Sequence, residues 1–210
     1  MDVELNADFW DERYRSADAL WSGEPNAQLI AEVSELAPGF ALDVGCGEGA
    51  DAIWLAERGW RVTATDISAV ALDRGRAQAG VVGGDVARRI EWLCADVLTW
   101  EPPAGAYDLV SAHFIHFAHP QRGLFFRRLA AAVKPNGTLL IVAHHPSDLQ
   151  TTARRWRMPD YFYTADDVAA SLEPEHWNVV VAEARPREVL DPDERTITVH
   201  DAILRAQRRA

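Results

Sequence analysis

The chain has 210 residues, enough for one α/β domain with a single buried core and too few for a second substrate domain. Acidic residues outnumber basic residues by 32 to 21, giving a formal net charge of −11, so attraction to a phosphate backbone is not expected. The most apolar run, residues 139–143, is too short to cross a bilayer, and residues 1–4 lack a targeting pattern. We therefore expect a cytoplasmic protein that binds neither nucleic acid nor a membrane.

The first predicted elements are two helices, over residues 8–20 and 26–36. Because they precede the first strand, residues 1–36 are expected to form a helical lid or cap on a single domain spanning residues 1–210. Trp10, Tyr14 and Trp21 lie in this segment, where their aromatic faces could contact a cation or a planar group. Core packing of an amphipathic helix is the competing interpretation, above all for Trp10.

A short apolar run then leads into three alternating glycines. Residues 41–44 read Ala-Leu-Asp-Val, and Gly45, Gly47 and Gly49 follow. This pattern predicts a strand that enters a nucleotide-binding turn, since glycine permits a positive φ and leaves no Cβ between backbone and ligand. Asp43 would gain nothing beside a pyrophosphate, whereas a ligand that carries a positive charge would benefit from it.

Two further predicted strands also end in acids, residues 61–66 in Asp66 and residues 90–96 in Asp96. Asp66 is placed to accept hydrogen bonds from ribose hydroxyls. The glycine spacing also satisfies the dinucleotide fingerprint, so an NAD-dependent oxidoreductase remains an alternative. Against it, the chain has no Tyr-x-x-x-Lys pair, and Lys134 is its only lysine.

The remaining elements alternate between strands and helices, which is typical of a mostly parallel sheet covered on both faces. A fourth strand over 107–112 leads directly into His113. The other elements are a helix over 121–133, a fifth strand over 138–144, a helix over 165–172 and strands over 179–184 and 196–204, which predict a final antiparallel hairpin. Ligands of such folds bind beyond the carboxyl ends of the strands, so Asp43, Asp66, Asp96 and His113 should converge on one crevice.

Three successive strands that end in Asp, with the glycine turn after the first, resemble the class I S-adenosylmethionine-dependent methyltransferases. Phe9 to Tyr14 and Trp21 to Asn26 resemble the small-molecule branch that includes tellurite-resistance and thiopurine-type enzymes. The resemblance implies a three-layer, Rossmann-like α/β fold with a mostly parallel seven-stranded sheet and an antiparallel last strand. It also implies a methyltransferase that uses S-adenosylmethionine and releases S-adenosylhomocysteine.

The resemblance implies the cofactor pocket residue by residue. Asp43 and the glycine turn would line the methionine end, Asp66 would bind the ribose, and Asp96 would bind the adenine amino group. The complete predicted set is Trp10, Tyr14, Trp21, Asp43, Gly45, Cys46, Gly47, Asp66, Ile67, Asp96, Val97 and His113. A non-catalytic cofactor-binding protein with the same fold is a further alternative, because fold does not establish activity.

Five histidines invite a catalytic or metal assignment: His113, His116, His119, His144 and His145. The first three straddle a strand end and a loop without an accompanying cysteine, so no metal site is predicted. His113 and His116 are the catalytic candidates. We expect them to shape the pocket and not to act as obligatory bases, because methyl transfer depends chiefly on alignment. The residues leave the acceptor atom open among oxygen, nitrogen, sulfur and a metalloid.

Cysteine and arginine residues receive simpler interpretations. Cys46 and Cys94 are expected to fill space as small residues and not to form a disulfide, although a reactive Cys46 near a helix N-terminus is an alternative. Arg154, Arg155 and Arg157 form a local basic cluster, which is interpreted as a solvated loop in preference to an anion site.

Overall fold

The computed structural model describes residues 5–155 and 158–210. Its strands are β1 Phe40–Val44, β2 Arg61–Asp66, β3 Ile90–Cys94, β4 Tyr107–His113, β5 Val133–His144, β6 Trp177–Leu190 and β7 Thr196–Arg208. Its α-helices are α1 Ala7–Arg15, α2 Ala27–Val33, α3 Ala50–Glu57, α4 Ala69–Val82, α5 Gly84–Ala87, α6 Gln121–Ala132 and α7 Ala165–Ala169. Two 3₁₀ helices, Pro146–Gln150 and Pro159–Tyr161, lie between β5 and α7.

All seven strands form one sheet in the order β3-β2-β1-β4-β5-β7-β6. The pairs from β3 to β5 are parallel, and β7 pairs antiparallel with both β5 and β6. The predicted three-layer fold with an antiparallel last strand is confirmed. The order reverses between β1 and β4, which places a crevice at the carboxyl ends of these two strands.

The core lies on both faces of the sheet because successive side chains of a strand point to opposite sides. Leu42, Val110 and Ile141 face a cluster that includes Phe125 and Leu129 of α6. Their neighbours Ala41, Leu109 and Leu140 face a second cluster that includes Leu29 of α2 and Trp54 of α3. Burial on both faces explains the nearly continuous apolar runs of β1, β4 and β5.

Several predicted boundaries were wrong. The first helix ends at Arg15 and not at residue 20, and the third strand ends at Cys94, before Asp96. The helix predicted over 165–172 ends at Ala169, while the strands of the last hairpin extend to Leu190 and Arg208. Pairing in a long hairpin lengthens strands beyond what a local apolar pattern indicates. Within the described part of the chain, every helix is too short or too polar to span a bilayer.

Candidate functional site

The glycine turn between β1 and α3 has the predicted backbone geometry. Gly45 and Gly47 have φ values of 66° and 53°, in the left-handed region that favours glycine. A Cβ on Gly47 would lie 2.9 Å from the Tyr14 hydroxyl, and a Cβ on Gly45 would collide with the Ile115 side chain. The turn is therefore covered closely by the N-terminal segment on one side and by the loop after β4 on the other.

The N-terminal segment is attached to this turn by polar contacts. The Trp21 indole donates a hydrogen bond of 3.0 Å to the Tyr14 hydroxyl, directly above Gly47. Glu48 accepts from the backbone N–H groups of Leu20 and Trp21 at 3.2 and 3.3 Å and forms a 2.9 Å ion pair with Arg74. These contacts hold two of the predicted aromatic residues at the turn.

Trp10 is placed differently. Its indole packs edge-on against Phe9 and tilted against Tyr14, with ring centroids 5.4 and 6.3 Å apart. Arg13 lies over the indole at 6.0 Å. Trp10 therefore packs against Tyr14 within α1, which agrees with the helix-packing interpretation.

Three carboxylates lie close together below the turn. Asp43 is 2% exposed, and its Oδ2 has no hydrogen-bond partner among residues 5–155 and 158–210. Burial raises the pKa of Asp43 well above its usual value, and the nearby charges of Asp51 and Asp66 raise it further. A positively charged group in this pocket would relieve the repulsion. The residues present therefore fit the ammonium and sulfonium charges of S-adenosylmethionine.

His113 is held by Asp51, a residue that the sequence interpretation did not single out. His113 Nδ1 lies 2.6 Å from Asp51 Oδ2, and the carboxylate accepts, so Nδ1 carries the proton. The other oxygen of Asp51 accepts from the Asn26 backbone N–H. His113 Nε2 is buried, and the described residues supply no partner for it.

Asp43, Asp51 and His113 each offer a ligand atom within 4.8 Å of the others, a spacing that a cation could bridge. This group contains only one of the five histidines that the sequence offers as metal ligands. Two of the others do not converge on it, since His116 bonds to the Tyr161 carbonyl and His119 to Arg122. Asp51 accepts a hydrogen bond from the His113 Nδ1–H, so an ammonium group matches the cluster at least as well as a metal ion.

Asp66 and Asp96 follow adjacent parallel strands. Asp66 accepts from the backbone N–H groups of Gly47 and Ser68 at 2.9 and 2.8 Å, which connects β2 to the glycine turn. Each of its oxygens retains a second lone pair for a ligand. Asp96 accepts from the Leu98 N–H at 2.8 Å as a turn residue, and Val97 beside it is buried. Ile67, directly after Asp66, is partly buried.

The two cysteines are free. Burial, Asp43 and Asp66 raise the pKa of the Cys46 thiol well above its usual value, so a thiolate is disfavoured and the reactive alternative loses its support. Cys94 is exposed, so its predicted space-filling role was wrong. Its position at the end of β3 places it outside both core clusters.

A second cluster lies at the ends of β4 and β5. The His116 and His144 rings stack with centroids 5.1 Å apart, and Phe114 stacks on the other side of His144 at 4.5 Å. Burial lowers the pKa of His116 to about 4, opposed by its bond to the Tyr161 carbonyl and assisted by the charge of Arg155. Burial and Arg155 also lower the pKa of His144. Both imidazoles are therefore neutral at physiological pH.

Arg155 differs from the solvated residue that was predicted. Its side chain is 14% exposed, and Nε donates to the fully buried Asp148 at 3.2 Å. Arg154 beside it is exposed as expected, whereas Arg157 lies outside the described residues. The interpretation as a solvated loop holds for Arg154 alone. The sequence carries only an Asp seven residues before an Arg, a spacing too common to indicate a buried ion pair.

Comparisons with known proteins agree with this geometry. A family described as a methyltransferase domain matches residues 41–137, from β1 to the start of β5. A probable thiol methyltransferase of Arabidopsis thaliana is 29% identical over 136 residues, covering 62% of this chain and 59% of that protein. A trans-aconitate 2-methyltransferase of Methylobacterium radiotolerans is 31% identical over 135 residues, covering 63% of this chain and 45% of that protein. The chain thus spans about half the length of these relatives.

One solved structure superposes on this chain with a TM-score of 0.75. It is described under the conversion of a disulfide bond into a thioacetal group during echinomycin biosynthesis. It is 22% identical, and the match covers 97% of this chain and 92% of that one. At this identity the likeness supports the fold alone. It extends the comparison over α1, α2 and the last hairpin, which lie outside the family match.

Proposed function

We propose that this chain, which belongs to the class I S-adenosylmethionine-dependent methyltransferases, transfers the cofactor methyl group to a small-molecule acceptor. The observation that carries this proposal is the unpartnered, buried Asp43 beneath the glycine turn, beside Asp51 and Asp66. This cluster favours a cationic ligand and opposes the pyrophosphate of a dinucleotide. The relatives named for thiols and trans-aconitate support a small acceptor.

The cofactor would extend along the ends of three strands. Asp43 faces its amino group, Asp66 accepts from the ribose hydroxyls, and Asp96 accepts from the adenine amino group. Ile67 and Val97 border the adenine, while Tyr14 and Trp21 cover the methionine end above Gly45, Cys46 and Gly47. Trp10 acts by supporting Tyr14, and His113 closes the pocket beside Asp43.

The bound cofactor would supply a methyl group on a positively charged sulfur for in-line transfer to an acceptor lone pair, with the neutral sulfide as the leaving group. The protein aligns the acceptor and excludes water, which alone supplies about 7 to 11 kcal/mol of barrier reduction. His113 Nε2, oriented by Asp51, and His116 Nε2 accept a hydrogen bond from a protonated acceptor without being obligatory bases.

Residues 1–36 act as a lid on one domain that spans 1–210. Its closure would be strengthened by the cofactor, because Tyr14 and Trp21 lie on the turn that receives the methionine end. The protein would work in the cytoplasm as a monomer or homodimer. Its formal charge of −11 argues against a nucleic-acid acceptor.

Calorimetry with S-adenosylmethionine, S-adenosylhomocysteine and NAD tests the proposal. We expect the first two to bind and NAD not to bind. Losing a charged acceptor costs about 1.5 to 3 kcal/mol, so Asp66→Ala should weaken binding by about 10- to 100-fold. Asp73→Ala removes an exposed acid from α4 and is the matched control. Tight NAD binding, or equal cofactor affinity in the folded Asp66 variant, would contradict the cofactor assignment.

Turnover separates an enzyme from a non-catalytic binding protein. Production of S-adenosylhomocysteine is measured against thiols, phenols, amines, organic acids and tellurite. We expect at least one class to be methylated by the wild type. Binding of the cofactor without turnover in any class would favour the non-catalytic alternative.

A further inference from the structure

Three buried polar side-chain atoms near the ends of β4 and β5 have no partner in the fold. His116 Nε2, His144 Nδ1 and Arg155 Nη2 are buried and lack a hydrogen-bond partner among residues 5–155 and 158–210. Arg155 bonds to Asp148, four residues after His144 at the end of β5, and its charge lowers the pKa of both imidazoles. Buried polar groups are nearly always paired, so three of them in one place indicate a polar ligand.

The hydrogen-bonding character of two of these atoms is determined by their neighbours. His116 Nδ1 lies 2.9 Å from the Tyr161 carbonyl, which only accepts, so Nδ1 is protonated and Nε2 is an acceptor. Arg155 is a permanent donor whose Nε serves Asp148 and whose Nη1 serves the Arg154 carbonyl. Its Nη2 remains available. The ligand therefore meets an acceptor from His116 and a cationic donor from Arg155.

Two guanidiniums near the cluster are each paired with a buried carboxylate, and Arg155 keeps one donor free for an anion. Arg187 lies 5.9 Å from the Phe114 ring centroid and is bound at 3.0 Å by the buried Asp201. Asp148 and Asp201 hold the two guanidiniums from the sides of their Nε atoms, which orients Arg155 without occupying its Nη2. A guanidinium N–H that is held in position binds a carboxylate more strongly than a neutral donor does, because the hydrogen bond is assisted by charge.

The surrounding side chains favour a flat ligand. Phe114 and His144 are stacked with an interplanar angle of 29°, and His144 and His116 with an angle of 16°. Phe162 and Tyr163 lie 5.8 Å from the His116 ring. The Tyr163 hydroxyl donates to the Ile115 carbonyl at 2.9 Å, which fixes the loop that joins this cluster to Gly45.

We propose that His116, His144 and Arg155 form the acceptor subsite, and that the acceptor is a small planar organic acid whose carboxylate binds Arg155. This inference rests on the proposed methyltransferase function and names its substrate class. Arg155 recognises the carboxylate, and His116 Nε2 receives a hydrogen bond from the group to be methylated. The acceptor lies between this cluster and the acidic pocket of Asp43, so the positive methyl donor is beside carboxylates and the negative acceptor is beside the free donor of Arg155.

Two pairs of probes test the charge requirement on the wild type: thiosalicylate against 2-mercaptobenzamide, and fumarate against fumaramide. Within each pair the shape is similar, and only the acid carries a carboxylate. In the presence of S-adenosylhomocysteine, we expect the acid of at least one pair to bind about tenfold or more tightly than its amide by calorimetry. Equal affinities within both pairs, or no binding of any probe, would overturn the inference.

Neighbouring arginines provide matched variants. Arg155→Gln and Arg154→Gln remove the same charge one residue apart, but only Arg155 lies in the cluster. We expect Arg155→Gln to abolish the preference for the acid and Arg154→Gln to retain it. If Arg155→Gln does not fold because Asp148 loses its partner, the double variant Arg155→Gln/Asp148→Asn removes both charges and is used instead.

Equal losses in the Arg155 and Arg154 variants would contradict the assignment of Arg155. Binding of S-adenosylhomocysteine is measured for every variant, because it reports on the cofactor site and not on the acceptor subsite. Cofactor binding without discrimination between acid and amide overturns this inference alone. Failure of the wild type to bind S-adenosylhomocysteine overturns the proposed function itself.

Discussion

Asp43 and Asp148 are equally buried carboxylates at the same end of the sheet, yet they are stabilised in opposite ways. Asp148 accepts from Arg155 and from the His200 N–H, at 3.2 and 2.9 Å. Asp43 accepts only a weak 3.5 Å bond from Ser111, and its other oxygen is unpartnered within the described ranges. The hydrogen bonds of Asp148 stabilise the fold, whereas the charged form of Asp43 is destabilised unless a cationic ligand is bound.

The same contrast extends to the two halves of the crevice. The half at β1 and β2 concentrates acids around the glycine turn, whereas the half at β4 and β5 holds neutral imidazoles and two guanidiniums that are paired with Asp148 and Asp201. His113 lies between them, with Nδ1 directed to Asp51 in the acidic half. Charge of both signs at the carboxyl ends of one sheet suits a reaction in which a cation donates to an electron-rich acceptor.

The largest expected effect separates these two acids. Asp148→Asn cannot accept from both Arg155 and His200 without bringing an amide N–H against a donor, and breaking a buried pair costs about 3 to 5 kcal/mol. Asp43→Asn removes a carboxylate that Asp51 and Asp66 repel, so the free energy of unfolding of this variant should equal or exceed that of the wild type. Urea denaturation at neutral pH measures both.

The two variants should rank in the reverse order when their cofactor affinities are compared. Asp43→Asn is expected to weaken S-adenosylhomocysteine binding by about 10- to 100-fold, because a charged partner of the amino group is lost. Folded Asp148→Asn should bind it with nearly wild-type affinity. Destabilisation of both variants to the same degree would mean that the two acids have the same structural role.

An effect of intermediate size is expected for the pH dependence of stability, through His116 at the ends of β4 and β5. His116 protonates near the ordinary histidine value of 6.5 in the unfolded chain but has a pKa of about 4 in the folded protein. The unfolded state therefore binds more protons between these values, and stability falls as pH decreases from 6.5 to 4. Each pKa unit corresponds to about 1.4 kcal/mol, so this group accounts for at most about 3 kcal/mol of the loss.

His116→Asn should remove that part of the acid destabilisation, because Asn does not titrate. The raised pKa of Asp43 acts with the opposite sign, since the folded state binds the extra proton there, and so only the difference between variant and wild type is informative. His176→Asn changes an exposed histidine and is the control. If His116 were solvated, the stabilities of His116→Asn and His176→Asn would depend on pH in the same way.

The smallest expected effect concerns attachment of the N-terminal segment to the acidic half. Glu48→Ala removes the acceptor of the Leu20 and Trp21 N–H groups, worth about 1 kcal/mol, so their hydrogen exchange should accelerate about fivefold. S-adenosylhomocysteine should slow exchange over residues 8–26 in the wild type. Glu57→Ala, on the exposed face of α3, is the control.

Exchange that is unchanged by cofactor would contradict the lid assignment. So would a folded variant lacking residues 1–24 that keeps normal cofactor affinity and turnover. Faster exchange in Glu48→Ala with an unaltered response to cofactor would show that Glu48 stabilises the segment without taking part in closure.

The sequence was most informative where function depends on the backbone itself. Gly45 and Gly47 adopt the positive φ values that their spacing indicated, and Asp43 and Asp66 lie at the ends of β1 and β2 as predicted. Ser68 caps α4 by accepting from the Ala71 N–H, a contact between residues only three apart in the chain. Such features depend on a few neighbouring residues, which explains why they are readable without contacts distant in the chain.

Side-chain partners distant in the chain were not readable. Asp51 in the first turn of α3 carries only the ordinary signal of an acid near a helix N-terminus, yet it orients His113. Arg155 belongs to a basic run typical of a solvated loop, yet it pairs with Asp148 and faces two histidines. Both roles arise from elements brought together by folding.

By itself, then, the sequence determined the strand and helix alternation, the glycine turn and the acids that end the first two strands, because hydrophobic period and backbone conformation are local properties. Only the tertiary structure decided which charges are paired and which are left for a ligand. The Asp148 and Asp43 carboxylates have the same chemistry in the sequence. They differ because the segment after β5 brings Arg155 to Asp148 and β7 brings His200, while α3 and β2 place Asp51 and Asp66 beside Asp43.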